Sequence, residues 1–503
     1  MPVASAPLDE AQQLYRMGEF DRAINRYQQI CRSGADEAAA YAGLARVYMK
    51  LKKPDEAFAA ASKAVDRDPG LATVHSALGE VYLRQGKLYE AQQEFLFPFK
   101  TKQVDARSYL GLARLYQATF NFKRAKVTID KAYGLDPTDP DIRSAWIQTR
   151  PRSEQIQALE GAIASPNDFY SRVEKARFKQ RLALLKDRAE HPERTCSLAN
   201  RPESAELSLE PMHMDGLDYR LKLDVRVNGQ NSRLLVETSK EGLTINDQIA
   251  QKAGVQMVVR TDVEGFGDQN PPEGYIGFVP SIGIGNLEFK NCYVTVIERM
   301  SAHSFYTQVE GTVSAEIFSS YFVDLDLAGG KLRLQALPPR PATEDPEAAA
   351  MDAGDVEAKG LEDRYTAPEM STWDQLYDFG GEYFMPVRVN SSPPKLFVIS
   401  TGDFTTIAPQ ITQDSASNTN RSSPKVFGAN GAVEKTSRTG PLKLEFSNFY
   451  YLALSEPSFG LTQESDRVGT EIPGILGRDI LRNCDIKIDY RDGLIHFSNG
   501  KNK

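Results

Sequence analysis

Between Tyr41 and Val65 the chain reads YAGLARVYMKLKKPDEAFAAASKAV. Apolar residues recur there at helical spacing on either side of a Lys-Lys-Pro-Asp break, which predicts two helices joined by a tight turn. The unit returns along the first 140 residues. Ala23, Ala57, Ala91 and Ala125 stand 34 residues apart, Tyr48, Tyr82 and Tyr116 keep the same step, and so do Leu44, Leu78 and Leu112. Pro69 and Pro137 are two steps apart. Independent series holding one period signal a repeat array, in which the small alanine lets antiparallel helices approach and the proline closes the second helix.

These residues resemble the tetratricopeptide repeat, whose small, Tyr, Ala and Pro positions match Ala45, Tyr48, Ala57 and Pro69. Four repeats fit, at about 4–37, 38–71, 72–105 and 106–139. The resemblance implies an all-α solenoid whose first helices line a concave groove. Groove residues would include Arg46, Lys50, Glu80, Arg84 and Arg114, docking a protein or peptide. The Asn/Lys set by which some family members hold a C-terminal carboxylate is missing, which argues against that ligand. Two departures stand out: the first unit lacks the usual large residue early in its helix, and Pro98 should kink or shorten its helix. Residues 141–204 read as a helical cap and connector, with a stripe at Phe178, Leu182 and Leu185.

After about residue 205 the pattern becomes alternation, as in YRLKLDVRVNG, SRLLVETS and YVTVIE, which predicts short antiparallel strands. A second repetition appears here. GTVSAEIFSSYFVDLDLAGGKLRL (Gly311–Leu334) aligns without a gap to GILGRDILRNCDIKIDYRDGLIHF (Gly474–Phe497), at an offset of 163. The same offset carries Leu234–Ser239 onto Phe397–Gly402. Two copies of one β domain are expected, at 205–337 and 372–503.

A strand ending in a Thr-Gly-type turn, followed by GILGRDIL and the strand IKIDY, resembles the retropepsin-like aspartic protease fold. That resemblance implies two lobes that each contribute one Asp-Thr-Gly loop to a shared site. The glycine segments Gly265–Gly267 and Gly428–Gly431 would be flap-like. The expected fold class is therefore multidomain: an all-α tetratricopeptide solenoid, then an all-β two-lobed aspartic-protease-like domain.

Aspartic proteolysis needs two neighbouring carboxylates sharing one proton. Here the triplets are Glu237-Thr238-Ser239 and Ser400-Thr401-Gly402, so neither aspartate remains. Glu237 keeps a carboxyl but adds a methylene, and Ser400 cannot share a proton as an acid. A serine nucleophile needs an adjacent base, and the nearest candidate, His496, belongs to a strand at the far end of the lobe. The expected function is a protein- or peptide-binding scaffold with a catalytically inactive protease-like domain, binding an extended segment in the former cleft by strand addition. The alternative is an atypical aspartic peptidase working through Glu237 or through dimerisation of like lobes.

Between the lobes, residues 338–371 are rich in Pro, Ala and acids, a composition expected of a flexible tether. Residues 341–371 hold nine acidic and two basic residues, −7 of the chain's net −8, so the remainder is close to neutral. That balance gives no support for nucleic-acid binding. Four cysteines (Cys31, Cys196, Cys292, Cys484) match no zinc spacing and are expected as thiols, and the five histidines are scattered, so neither metal nor cofactor is expected. No apolar run is long enough to span a bilayer. Without a visible leader, the expected compartment is the cytoplasm, or the periplasm or exterior if a leader was removed.

Overall fold

The computed structural model describes residues 6–165, 169–214, 218–238, 242–263, 265, 267–269, 271–299, 309–341, 364–411 and 423–500. The chain divides at Leu185–Lys186 into two compact units, described in turn.

The first unit is helical. Four antiparallel pairs run α1 (Ala6–Arg16) with α2 (Phe20–Ser33), α3 (Glu37–Lys50) with α4 (Pro54–Arg67), α5 (Ala72–Arg84) with α6 (Leu88–Lys100), and α7 (Ala106–Ala118) with α8 (Phe122–Leu135). The alanines that carry the period are the close-packing points: Ala23, Ala57, Ala91 and Ala125 are at most 1% exposed. Glycine serves the same purpose where a large ring crosses, since a methyl group on Gly111 would lie 2.2 Å from the Phe95 ring. Helix α6 runs through Pro98 and stops two residues later at Lys100. The amide that proline lacks would have bonded in the last turn, so little helix remains to be broken. Three more helices follow: α9 (Pro140–Gln148), α10 (Arg152–Ala164) and α11 (Arg172–Glu190). Asp139 caps α9, its Oδ1 accepting from the amides of Asp141 (2.9 Å) and Ile142 (3.2 Å), with Pro140 at the first helical position.

The second unit is β-rich. Its first part holds β1 (Ser197–Leu198), β2 (Ser204–Ser208), β3 (Glu210–Met214), β4 (Asp218–Val227), β5 (Gln230–Glu237), β6 (Leu243–Asn246), β7 (Gln256–Asp262), β8 (Glu273–Ile284), β9 (Leu287–Arg299), β10 (Gly311–Ser314), β11 (Tyr321–Asp326) and β12 (Lys331–Ala336). Its second part holds β13 (Asp374–Gln375), β14 (Tyr377–Phe379), β15 (Glu382–Val389), β16 (Lys395–Ile399), β17 (Thr406–Ile407), β18 (Phe427–Gly428), β19 (Gly431–Ala432), β20 (Ser437–Arg438), β21 (Leu442–Phe446), β22 (Phe449–Ala453), β23 (Pro457–Ser458), β24 (Gly474–Leu476), β25 (Cys484–Asp489) and β26 (Leu494–Asn499). Asn228 and Gly229, at φ of 49° and 82°, make the tight turn from β4 to β5 that the Asn-Gly pair favours.

In the first part β10 lies between β5, its parallel neighbour, and β6, its antiparallel one; in the second part β24 lies in the same way between β16 and β17. A six-stranded sheet, ordered β13-β26-β25-β11-β12-β2, takes strands from both parts, with Val323 opposite Ile488 where β11 meets β25. Alternation sets its faces: Cys484, Ile486 and Ile488 are buried, with half-buried Asp485 and Lys487 between them.

Two expectations need correction. Cys196 and Cys292 are not thiols: they form a disulfide that ties the residue just before β1 to strand β9, while Cys31 and Cys484 are free. The expected tether 338–371 is also too long. Its residues 342–363 lie outside the described residues, but the end from Arg364 is packed: Ala367 and Met370 are buried with Phe322 and Leu494. The Tyr365 amide donates to Asp492 Oδ1 (2.9 Å). Aromatic and apolar residues at 365–373 supply the burial that the acidic stretch before them lacks.

Candidate functional site

The loops that follow β5 and β16 meet. Thr238 Oγ1 donates to the Ile399 carbonyl (3.2 Å) and accepts from the Thr401 amide (3.1 Å), while Thr401 Oγ1 donates to the Val236 carbonyl (3.1 Å). All this is buried, with Thr238 1% exposed and Thr401 8%. Each threonine satisfies backbone groups of the opposite loop, so the two are locked in mutual register.

Glu237, 5% exposed, lies against the other loop: a methyl group on Gly402 would sit 2.6 Å from Glu237 Oε1. Gly402 is thus required for that approach. Ser400 is fully buried; its Oγ donates to Asp403 Oδ2 (2.8 Å) and accepts from the Asp403 amide (3.0 Å). Asp403, three residues beyond Ser400, turns back to hold the serine. Ser239 lies outside the described residues.

The segment GRDIL braces this loop. The Arg478 amide donates to the Asp403 carbonyl (2.8 Å), its guanidinium to the Gly402 carbonyl (2.5 Å), and the guanidinium carbon lies 3.6 Å from the Phe404 ring centroid. Asp479 accepts from the Thr405 amide (2.7 Å) and Thr405 Oγ1 accepts from the Gly477 amide (3.0 Å). His496 stacks on Trp373 in strand β26, where burial and the Lys487 charge lower its pKa. That is a structural position in the six-stranded sheet.

The glycine segments also meet each other. The Asp268 amide donates to the Ala432 carbonyl (3.1 Å), the Gln269 amide to the Asn430 carbonyl (3.0 Å) and the Glu434 amide to Asp268 Oδ2 (2.7 Å). Ala429, at the tip of the β18–β19 turn, is buried among Leu235, Val263, Ile297 and Val309. An extended peptide entering between these two glycine segments would have to part these contacts. A cavity of about 750 Å³ elsewhere, lined by residues such as Lys222, Arg226, Arg233 and Leu235, includes neither Glu237 nor Ser400.

In the first unit the expected groove residues are tied into an ion network. Arg46 reaches Glu80 (3.5 Å) and donates to Ser76 Oγ (2.7 Å), and Lys50 pairs with Asp141 (2.8 Å). Arg114 is half-buried within the field of Asp141, and Arg84 ends α5. The centre is a residue the period does not mark, Arg107, 8% exposed, which binds Asp139 (2.7 Å), Asp141 (3.1 Å) and Glu80 (3.3 Å). Burial works against its charge, but Asp139, Tyr15, Glu80 and Asp141 hold its pKa above the ordinary value. Burial likewise opposes ionisation of Asp141, yet Lys50, Arg107 and Arg114 keep its pKa well below the carboxylate range. The Asp139-Pro140 pair, a helix-start signal, is the trace by which this acidic corner was legible.

Against the same corner sits Phe169, 2% exposed. Lys50 Nζ lies 4.1 Å from its ring centroid, and Tyr15 meets it edge-on at 5.5 Å. Tyr170 donates to the Pro140 carbonyl (2.9 Å). Helix α11 begins with a reciprocal cap: the Ser171 amide donates to Glu174 Oε2 (2.8 Å) and the Glu174 amide to Ser171 Oγ (3.2 Å). The spacing S-R-V-E announces that cap in the sequence.

Family models described as tetratricopeptide repeat match residues 8–72 and 106–139. The helical array is built of tetratricopeptide repeats. The structure is also similar to a retropepsin-like aspartic protease from Rickettsia conorii, with 15% identity over 28% of this chain and 94% of that chain, at a TM-score of 0.20. No curated protein matches. The tetratricopeptide array is followed by a β-rich unit. Among the described residues no helix is long and apolar enough to cross a membrane, and no group of three or more His, Cys, Asp or Glu residues could hold a metal ion.

Proposed function

We propose that the protein is a protein- or peptide-binding scaffold: a tetratricopeptide docking array joined to a two-lobed aspartic-protease-like unit that does not hydrolyse peptides. One observation carries the second half. At the two loop positions where the chemistry needs a pair of carboxyls sharing a proton, the chain has Glu237 packed against Gly402 and a buried Ser400 bonded to Asp403. The reciprocal threonine bonds and the mixed sheet through β11 and β25 support pairing of duplicated lobes within one chain. The interleaved glycine segments favour a structural role over strand addition in the cleft. The Cys196–Cys292 disulfide favours an oxidising compartment over the cytoplasm.

The test is a peptidase assay on the full chain with a fluorogenic unfolded polypeptide from pH 3 to 7. No turnover is expected, and none is expected of Glu237→Gln. Cleavage by the native chain that disappears in Glu237→Gln would overturn the reading and establish the peptidase alternative.

A further inference from the structure

The residues that should dock a partner already have one. Lys50, on the first helix of the second repeat, faces Asp141 at 2.8 Å, Glu174 at 4.0 Å and the Phe169 ring at 4.1 Å. Phe169 is 2% exposed and belongs to the same apolar cluster as Leu8, Ala11, Tyr15 and Leu44. Around it the rings form a chain: Phe20 at 6.3 Å, Tyr15 at 5.5 Å and Tyr170 at 5.2 Å, with Phe178 at 4.9 Å from Tyr170. Residues 169–178 therefore deliver an aromatic pair and, one helical turn on, a carboxylate to the corner around Lys50. That is how an external peptide would be held: an apolar anchor in a dry pocket, with charge pairs at its edge.

The geometry points to a groove occupied in cis. Phe169, Tyr170 and Glu174 hold the site of a peptide that carries an aromatic residue with a carboxylate four or five positions later. Such a peptide gains access when the segment leaves. This rests on the docking reading of the array and specifies both its ligand and its control. Charge complementarity selects the class. The Phe169 ring lies over the Lys50 ammonium, and Glu174 at 4.0 Å adds a second carboxylate beside the Asp141 pair at 2.8 Å. Among the contacts that hold the segment are the buried Phe169 ring, the Tyr170 hydroxyl on the Pro140 carbonyl, the Lys175 ammonium on the Ser165 carbonyl and the Glu174 pair. A short segment at the edge of an array can open locally, below the cost of global unfolding. A ligand that needs the open form is weakened by the open fraction, so emptying the pocket tightens it.

The test uses the full chain and a fluorescein-labelled synthetic peptide of residues 165–178, SPNDFYSRVEKARF, read by anisotropy. Phe169→Ala is expected to bind it at least tenfold more tightly than the native chain, and a probe with alanine in place of its phenylalanine is expected to lose binding to both. Equal, measurable affinity of native chain and variant overturns the masking while leaving docking in place. Absence of binding by both overturns docking at this face. Hydrogen exchange on the native chain keeps the test independent of how the variant folds. Amides of 169–178 should exchange faster on adding the peptide, with those of α3 and α5 unchanged. Exchange of 169–178 only together with α3 and α5 would show a permanent core segment and overturn the proposal.

Discussion

Replacing Thr238 by valine keeps the shape of the side chain and removes its hydroxyl. Two bonds vanish, leaving the Ile399 carbonyl and the Thr401 amide buried without their partner. Each orphaned group costs about 1–3 kcal/mol, so the change should destabilise the β unit by roughly 2–6 kcal/mol. Thr401→Val removes one bond, to the Val236 carbonyl, and should cost about 1–3 kcal/mol. Because the two side chains serve the same pair of loops, the double variant should fall short of the sum.

The chain's two tryptophans make the measurement selective. Trp146 lies in α9, while Trp373 packs on Phe322 and His496 in the β unit. In a Trp146→Phe background, fluorescence during urea unfolding reports the β unit alone. With a slope of about 3 kcal/mol/M, the Thr238→Val midpoint should drop by roughly 1 M. A drop of less than about 0.2 M at unchanged slope would refute the claim that the reciprocal threonines join the loops.

Further outcomes follow from other contacts. Arg107→Met leaves Asp139, Asp141 and Glu80 in a buried site and should cost the helical unit about 3–5 kcal/mol, read from helical circular dichroism in urea; a loss under about 1 kcal/mol would show the network to be solvated. Thiol titration of the denatured, unreduced chain should give two free thiols, Cys31 and Cys484, rising to four on reduction; four at the outset would remove the disulfide and the compartment inferred from it. Burial, then the Asp479 charge, push Glu456 up to about 7, and burial with Asp492 pushes Asp489 up to about 6. The folded unit then keeps protons the unfolded chain releases, so these groups remove stability as pH rises from their unfolded values to about 7. Glu456→Gln should flatten the fall in melting temperature between about pH 4.5 and 7; a profile parallel to the native one would refute that role.

The sequence by itself determined the repeat array, because a helix pair is a local object and its alanines and tyrosines recur every 34 residues. It also determined the strand-rich second half, and the presence of Glu237 and Ser400 in their Thr-containing triplets is a matter of residue identity. Only the tertiary structure decided what those residues touch. Arg107 breaks no local rule, yet folding surrounds it with acids up to 34 positions away. Cys196 meets Cys292 across 96 residues, and Thr238 meets Thr401 across 163. Phe169 sits in a stretch whose spacing announces only a helix start, and its burial against Tyr15 and Lys50 depends on the whole array being assembled first. Periodicity reports which face of an element is apolar; it carries no information about which distant face will cover it, and here that pairing buries Phe169 against Lys50 and Tyr15.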